Sequence, residues 1–374
     1  MIIFVVIHPY DVKMSLDLFY DFLSKNGAEF GELTGKKVVQ SYGDVIAEHH
    51  SLTEAVALID LTSRSCMAVL GEDRVKYING QVTNEVMGLR PGQGCYAALV
   101  NVKAKMQSDL NIYRLEDELI LDFEPGLFQI VKERIEKNIV SDQVEILDVS
   151  PHFGLLSLQG PRTCDVLDSL GLSMPDESLA HIKVSIPDMG EWFLMCNSRF
   201  GVMGCDLYIP IDYLAQAAER LFKEAINQKG GLVGWQATEI SRVETGIPRF
   251  GSEMDQDTLP PEVNIQNRAI SYSKGCYIGQ EIIARIRTYG RVNRTLVGFR
   301  FDKELEESAV SGSLLEDESG KNIGKITSIV NSPKFGVIGL GLVRKNHANI
   351  GKVLNAKVPA VGQATVALIP FSEC

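Results

Sequence analysis

The sequence contains no closely spaced pair of cysteines. Its seven cysteines are scattered over 374 residues, and none forms a C-x-x-C motif. An odd number of cysteines without regular spacing argues against a disulfide framework and against a structural zinc site, since both need grouped thiols. This pattern predicts reduced thiols in a cytoplasmic protein. The cysteines are Cys66, Cys95, Cys164, Cys196, Cys205, Cys276 and Cys374.

Several other features are also absent. There are only six histidines, and His49 and His50 are adjacent, so their side chains diverge on any regular element and no metal site is predicted. There is no G-x-G-x-x-G motif, no P-loop and no internal repeat. The apolar start, Met1 to Val6, is too short to cross a bilayer. We therefore expect neither nucleotide binding through these motifs nor a membrane partner.

Positive charge is in deficit, with a formal net charge of −11. A general nucleic-acid binder needs a net basic face, so we expect no nucleic acid partner. A local basic pocket is still compatible with this charge, and the arginines between Arg285 and Arg294 could form one. The length predicts two or three domains. Met14 is a second candidate start, so we set residues 1–13 aside as an N-terminal extension.

The most informative stretch is Lys274-Gly275-Cys276-Tyr277-Ile278-Gly279-Gln280-Glu281. Its two glycines allow backbone angles that other residues avoid, so we expect a tight turn that brings Cys276 to the start of a helix. The helix has isoleucines at helical spacing from residue 280 onward, and Gly290 is a suitable stop. A thiol near a helix N-terminus and a lysine should ionise readily. The alternative is a buried structural cysteine in a glycine turn.

Three further side chains are candidates because of their position on predicted elements. Asp109 lies on the polar face of the second of two strands, Gly94–Asn101 and Ser108–Tyr113, and the alternative is a solvated strand carboxylate. Asp206 lies within the stretch from Arg199 to Ile209, and its alternative is a surface acid at a strand end. Arg242, on a helix predicted over 237–246, could clamp a carboxylate or simply pair with Glu239 at i−3.

The stretch 274–281 resembles the K-G-C-Y-x-G-Q-E signature of the YgfZ-type folate-binding proteins, which are similar in fold to the glycine-cleavage T-protein. The segment Gln81-Val82-Thr83-Asn84 resembles the family's G-Q-(L/V)-T-N block, and residues 242–248 resemble its R-(L/I)-E-A-G-(I/L)-P block. The resemblance implies tetrahydrofolate as the cofactor, with the pterin ring on Asp206. It implies catalytic roles for Cys276, Lys274 and Asp109, and cofactor-binding roles for Asp206, Arg242, Asn84, Asn101 and Gln280.

The chain departs from the T-protein pattern at one place. T-proteins carry a glycine-rich turn followed by two aspartates, whereas this chain has Ala104-Lys105 and Ser108-Asp109 there. Only one carboxylate remains, so the resemblance points toward the YgfZ-type proteins and away from aminomethyl transfer.

The resemblance and the periodicity together predict an α+β fold of the GcvT type, a multi-domain clover. We expect a two-lobed body over 14–294 and a β-barrel or sandwich over 295–374, since short apolar runs separated by glycines begin at Thr295. We also expect a helix over 16–25, a helix over 51–57 capped by Ser51, and Arg242 and Glu244 facing outward from their helix.

Three functions remain open at this point. The first is a monomeric, tetrahydrofolate-binding accessory protein that supports iron–sulfur cluster assembly or repair in client enzymes, with iron–sulfur client or assembly proteins as partners. The second is a folate-dependent aminomethyltransferase. The third is an interaction scaffold in which Cys276 is structural. The iron–sulfur role rests on the resemblance alone.

Overall fold

The computed structural model describes residues 9–290, 292–302, 310–356 and 362–372. The chain divides into two units, one formed by residues 1–97 and 109–238 and the other by residues 98–108 and 239–374. The second unit is therefore discontinuous in sequence. No helix among the described residues is long and apolar enough to cross a membrane.

Three sheets of the described residues lie wholly or mainly in the first unit, and only residues 98–100 and 106–108 of their strands belong to the second. The first hairpin consists of β1 (Glu29–Leu33) and β2 (Lys36–Ser41). The strands that follow are β3 (Ala57–Asp60), β4 (Ser65–Leu70), β5 (Gln93–Val100), β6 (Met106–Arg114), β7 (Leu119–Phe123), β8 (Glu145–Asp148), β9 (Phe153–Gln159), β10 (His181–Ile186), β11 (Gly190–Cys196), β12 (Gly204–Pro210) and β13 (Gly231–Leu232). One sheet has the order β10-β11-β12-β9-β3-β13 and another the order β5-β6-β7-β4-β8.

The chain combines helices with these mainly antiparallel sheets, which confirms the α+β class. They are α1 (Pro9–Lys25), α2 (Val45–Glu54), α3 (Arg74–Gln81), α4 (Phe128–Glu136), α5 (Thr163–Ser169), α6 (Leu214–Asn227), α7 (Trp235–Glu244), α8 (Gln266–Ala269) and α9 (Gln280–Tyr289). The helix predicted over 16–25 is present within α1, which already begins at Pro9.

One hydrophobic core of the first unit lies between the six-stranded sheet and two helices. Phe19 and Leu23 of α1 and Leu221 of α6 pack on sheet residues such as Trp192 and Leu207, and all five are at most 1% exposed. Burial of such large apolar side chains is the main stabilising contribution in a domain of this size.

The start of α2 corrects the prediction that Ser51 caps a helix over 51–57. The helix begins at Val45, because the Asp44 carboxylate accepts hydrogen bonds from the backbone N–H groups of Ile46 and Ala47. Ser51 lies inside the helix, where its hydroxyl donates to the carbonyl oxygen of Ala47.

The C-terminal strands form a closed barrel, which decides between the barrel and the sandwich. The strands are β14 (Arg294–Phe301), β15 (Leu314–Glu316), β16 (Asn322–Ser332), β17 (Gly336–Arg344), β18 (Val353–Ala356) and β19 (Gly362–Ala367), and their order is β14-β17-β16-β15-β18-β19. Phe299, Ile326 and Val343 are fully buried in its interior. The strand predicted over 353–358 extends beyond Ala356 into residues that lie outside the described ranges.

Candidate functional site

In the first unit, the structure brings two predicted residues, Asn84 and Asp109, to the same tyrosine. The Tyr96 hydroxyl on β5 donates a 2.9 Å hydrogen bond to Asp109 Oδ2 on β6. Asn84 Nδ2 donates to the backbone oxygen of Tyr96 at 2.8 Å. Asn84 is held in turn by the N–H of Glu85, which donates to its Oδ1 at 2.9 Å.

Asp109 is the titratable group of this cluster. Burial raises its pKa, the negative charge of Glu124 raises it further, and the hydrogen bond from Tyr96 opposes both. Burial therefore favours the protonated form of the Asp109 carboxyl group, which is the direction of shift that general acid or base catalysis uses. The Ser108 side chain beside it in sequence is fully buried and has no comparable titration.

Also in the first unit, four charged side chains form what we call the buried ion cluster: Arg64, Asp122, Arg199 and Asp206. Arg64 Nε donates to Asp122 Oδ1 at 2.6 Å. Arg199 Nη2 lies 2.7 Å from both Asp122 Oδ2 and Asp206 Oδ2, so it bridges the two carboxylates. The two aspartates are fully buried, and the two arginines are at most 13% exposed at their side chains.

The oxygens of Asp206 accept hydrogen bonds from this chain's own residues. Ser157 Oγ donates to Oδ1 at 2.7 Å, Asn197 Nδ2 donates to Oδ2 at 2.9 Å, and Arg199 Nε donates to both, at 3.0 and 2.8 Å. A pterin that bound here would have to replace one of these donors. Direct pterin binding by Asp206 stays a prediction.

Asp122 shows how strongly the cluster favours ionised carboxylates. Burial alone would raise its pKa, but the guanidinium groups of Arg199 and Arg64 outweigh burial and lower the pKa to about 2. Asn111 Nδ2 also donates to Asp122 Oδ2 at 2.9 Å.

In the second unit, the turn at Asn101 packs against the N-terminus of α9. Asn101 Oδ1 accepts hydrogen bonds from the N–H groups of Lys103 and Lys105, and Ala104 has a φ of 57°, a conformation typical of glycine. Gly279 has a φ of 86°, and a Cβ atom there would lie 2.8 Å from Asn101 O. The motif therefore requires glycine at 279 both for its conformation and for its close contact with the turn.

The cysteine of the motif is exposed and precedes the helix by several residues. Cys276 lies in an irregular segment. The helix α9 runs from Gln280 to Tyr289 and is flanked by Gly279 and Gly290, both in the left-handed conformation. This exposure contradicts the buried-cysteine alternative. Lys274 is 7% exposed, with its Nζ 5.2 Å from the centroid of the Tyr277 ring. Gln280 Nε2 lies 3.5 Å from Gly275 O.

Arg242 is 3% exposed, which corrects the expectation that it faces outward. Its Nε and Nη2 donate to the two carboxylate oxygens of Glu239 at 2.7 and 2.8 Å, confirming the i−3 ion pair. Its Nη1 donates to Glu253 Oε2 at 2.8 Å and its Nη2 to Ser328 Oγ at 2.7 Å. Glu244 is also buried, where it accepts a hydrogen bond from Ser332 Oγ at 2.5 Å.

Neither unit offers a metal site within the described part of the chain, where no group of three or more His, Cys, Asp or Glu side chains could hold an ion. Three of the eight predicted residues, Asn84, Asp109 and Asp206, belong to the first unit. The other five belong to the second: Asn101, Arg242, Lys274, Cys276 and Gln280.

A family model described as the GCVT N-terminal domain matches residues 19–274, more than half of the chain. The chain belongs to the GCVT family. A second model, the glycine cleavage T-protein C-terminal barrel domain, matches residues 294–372, in agreement with the barrel. Both matches therefore point to the GCVT family, one over the N-terminal part of the chain and one over the barrel.

Several relatives of this GCVT chain are known. An aminomethyltransferase of Shouchella clausii is 26% identical over 96% of this chain and 98% of its own length. A chloroplastic protein of Arabidopsis thaliana that is named as a transferase is 27% identical, over 90% of this chain and 76% of its own length. The crystal structure of aminomethyltransferase T from Bartonella henselae has the same fold, with a TM-score of 0.84, 23% identity, and 95% and 97% of the two chains covered.

Reasoning from the sequence missed the partners that hold the predicted residues of the first unit. Tyr96, Arg64 and Asp122 were not singled out, and Arg199 was noted only as the first residue of a stretch. One signal was available: Tyr96 and Asp109 lie on the two strands of a predicted hairpin, so a contact between their side chains could be expected.

Proposed function

We propose that this GCVT protein binds tetrahydrofolate and acts as an accessory protein that supports iron–sulfur cluster assembly or repair in client enzymes. Membership of the GCVT family supports folate binding, since relatives that cover nearly the whole chain are named aminomethyltransferases. The resemblance of residues 274–281 to the YgfZ-type signature supports the accessory role.

The observation that carries this proposal is that Ser108-Asp109 on β6 provides a single carboxyl group. Asp109 is hydrogen-bonded to Tyr96, and the neighbouring Ser108 is fully buried. A serine hydroxyl does not titrate near neutral pH, so it cannot replace a carboxylate in proton transfer. The turn before it is held by Asn101 and contains Ala104 in place of glycine. These features support binding of the folate with little aminomethyl transfer.

We assign the first contact with the folate to Asp109 and Asn84. The Asp109 carboxyl group can accept a hydrogen bond, and burial raises its pKa, which favours the protonated form that can also donate one. Asn84 offers both a donor and an acceptor. Asp206 and Arg242 remain candidate contacts, and each would have to exchange a hydrogen bond that it now makes within the chain. Cys276 is the proposed functional thiol because it is exposed within the signature.

Aminomethyl transfer is the second candidate function, and Asp109 is the observation that favours it. A single carboxyl group can act as a general acid or base if it contacts the reacting nitrogen, and burial raises the pKa of Asp109 in the direction that favours this role. The two candidates therefore differ in whether bound folate is turned over.

Calorimetric titration with tetrahydrofolate tests binding. We expect micromolar-scale affinity, and the variant Asp109→Asn should weaken it by about tenfold or more, since a hydrogen bond to a charged group contributes about 1.5–3 kcal/mol. Asp168→Asn, an exposed aspartate on α5, is the matched control and should bind as the natural protein does. Equal binding by the Asp109 variant and the control would refute the assignment of this site.

Two further assays separate the candidates. Combined with the other glycine-cleavage components, the protein should show little glycine synthesis or cleavage, and robust activity would favour the aminomethyltransferase. In cells that lack the protein, Cys276→Ser should fail to restore iron–sulfur enzyme activities, whereas Cys164→Ser, at a half-buried position, should restore them. Full complementation by Cys276→Ser would contradict the role of the thiol.

A further inference from the structure

A large polar pocket lies within the second unit, beside the barrel. Its volume is about 1100 Å³, and all its lining residues belong to residues 98–108 or 239–374. Five cationic side chains line this barrel-side pocket, against two acidic ones, Asp257 and Glu262. The five are Lys105, Arg294, Lys325, Arg344 and Lys345. This excess of positive charge stands out in a chain with a net charge of −11.

Two of these cations are placed opposite each other in the barrel. Arg294 on β14 and Arg344 on β17 are direct partners in the antiparallel register, and both line the pocket. Side chains of directly opposed residues emerge on the same face of a sheet, and like charges at such positions are destabilising. The pair is unfavourable unless negative charge is supplied nearby.

The chain supplies only part of that negative charge. Glu262 Oε2 accepts a hydrogen bond from Arg294 Nη2 at 3.0 Å, and Asp255 lies 3.7 Å from Lys325 Nζ. Lys345 Nζ donates to a backbone oxygen, that of Gly290, at 3.3 Å. Within the described ranges, Arg344 is exposed and has no carboxylate within ion-pair distance.

The remainder of the pocket suits an organic molecule. Leu314, which is 41% exposed, and the half-buried Val292 provide apolar surface, and the lining also includes amide side chains such as Asn322 and Asn346. Pockets that combine apolar walls with a few polar groups are typical of small-molecule sites. Arginine pairs suit phosphate and carboxylate groups because each guanidinium can donate two parallel hydrogen bonds.

We propose that the barrel-side pocket binds an organic anion with at least two phosphate or carboxylate groups, one of which lies between Arg294 and Arg344. This inference is independent of the folate-binding proposal, because none of the pocket's residues is assigned there to folate. The anion would supply the charge that the opposed arginines lack, so binding should stabilise the folded protein.

The test uses the full chain with two probes, inorganic tripolyphosphate and citrate, and with sodium chloride at matched ionic strength. Thermal unfolding and calorimetry give the stabilisation and the affinity. Arg344→Gln removes one arginine of the pair, and Arg268→Gln, an exposed arginine of the same unit outside the pocket, is the control. Lys345→Gln provides a second variant at another exposed position in the pocket.

We expect at least one probe to raise the unfolding temperature more than sodium chloride does, and the better probe identifies phosphate or carboxylate as the bound group. Arg344→Gln should weaken that binding by about tenfold or more, while raising the unfolding temperature without anion. Lys345→Gln should weaken binding to a smaller extent, and Arg268→Gln should not affect it.

Equal stabilisation by sodium chloride would show simple screening and overturn the proposal. So would undiminished binding by both pocket variants, or an Arg344→Gln protein that is less stable than the natural one in the absence of anion.

Discussion

Removal of Arg199 should destabilise the protein in a way that depends on pH. Arg199 bridges two fully buried carboxylates, those of Asp122 and Asp206, at 2.7 Å each. In Arg199→Gln both aspartates lose this cation, although Asp122 keeps Arg64 and Asp206 keeps Ser157 and Asn197 as donors. Breaking a buried ion pair from one side typically costs about 3–5 kcal/mol, so we expect a loss of that size at pH 7.

The pH dependence follows from Asp122. Its pKa is about 2 in the folded protein and about 3.9 in an unfolded chain, so its ionisation stabilises the fold by on the order of 2 kcal/mol. This stabilisation is fully present above about pH 5 and is lost as the pH falls toward the folded pKa, with about half gone by pH 3. Without Arg199 the folded pKa rises, so the difference between variant and natural protein should shrink by about 1 kcal/mol between pH 7 and pH 3.

Urea unfolding followed by circular dichroism at pH 7, 5, 4 and 3 measures both effects. Arg162→Gln is the matched control, because Arg162 pairs with Asp165 at 2.9 Å on the surface, where such pairs contribute about 1 kcal/mol or less. A loss below about 1 kcal/mol for Arg199→Gln, unchanged from pH 7 to pH 3, would refute this account of the buried ion cluster.

Two other predictions concern the signature around Cys276. Gly279→Ala should lower the free energy of unfolding by about 3 kcal/mol or more, because residue 279 has a φ of 86° and the new Cβ atom would lie 2.8 Å from Asn101 O. The control Gly290→Ala, with a φ of 65° but no atom close to the new Cβ, should lower it by only about 1 kcal/mol. Equal losses for the two variants in urea unfolding would contradict the proposed contact. Iodoacetamide labelling read by mass spectrometry should modify the exposed Cys276 first and Cys205 only after unfolding, because burial raises the pKa of the Cys205 thiol; simultaneous labelling would disprove this order.

The regular elements could be predicted where a local pattern specifies them. The spacing of the isoleucines and the stop at Gly290 predicted α9, and glycine-separated apolar runs predicted the main barrel strands. The three-residue strand Leu314–Glu316 was not predicted, because it is too short to show an alternating pattern. The start of α2 was misplaced because Ser51 is a residue type that often caps helices, whereas the structure has Asp44 as the cap.

The site was predictable only as far as local contacts define it. The pair of Arg242 with Glu239 follows from helical spacing, but its further partners Glu253 and Ser328 come from separate segments. Likewise, Arg199 reaches Asp122 across 77 residues of sequence. No periodicity relates such positions, so the burial of these charges became visible only in the folded chain.

The discontinuity of the second unit has a consequence for synthesis of the chain. Residues 98–108 leave the ribosome well before residues 239–374, yet Met106 N–H donates to Thr258 O at 3.0 Å and Lys105 Nζ donates to Asp257 O. Until that later segment is made, residues 98–108 lack the backbone acceptors of Asp257 and Thr258 that they contact in the folded chain. In a nascent chain, residues 98–108 must therefore stay accessible while the rest of the hairpin folds. A chain that ends before residue 258 leaves this segment without these two backbone partners.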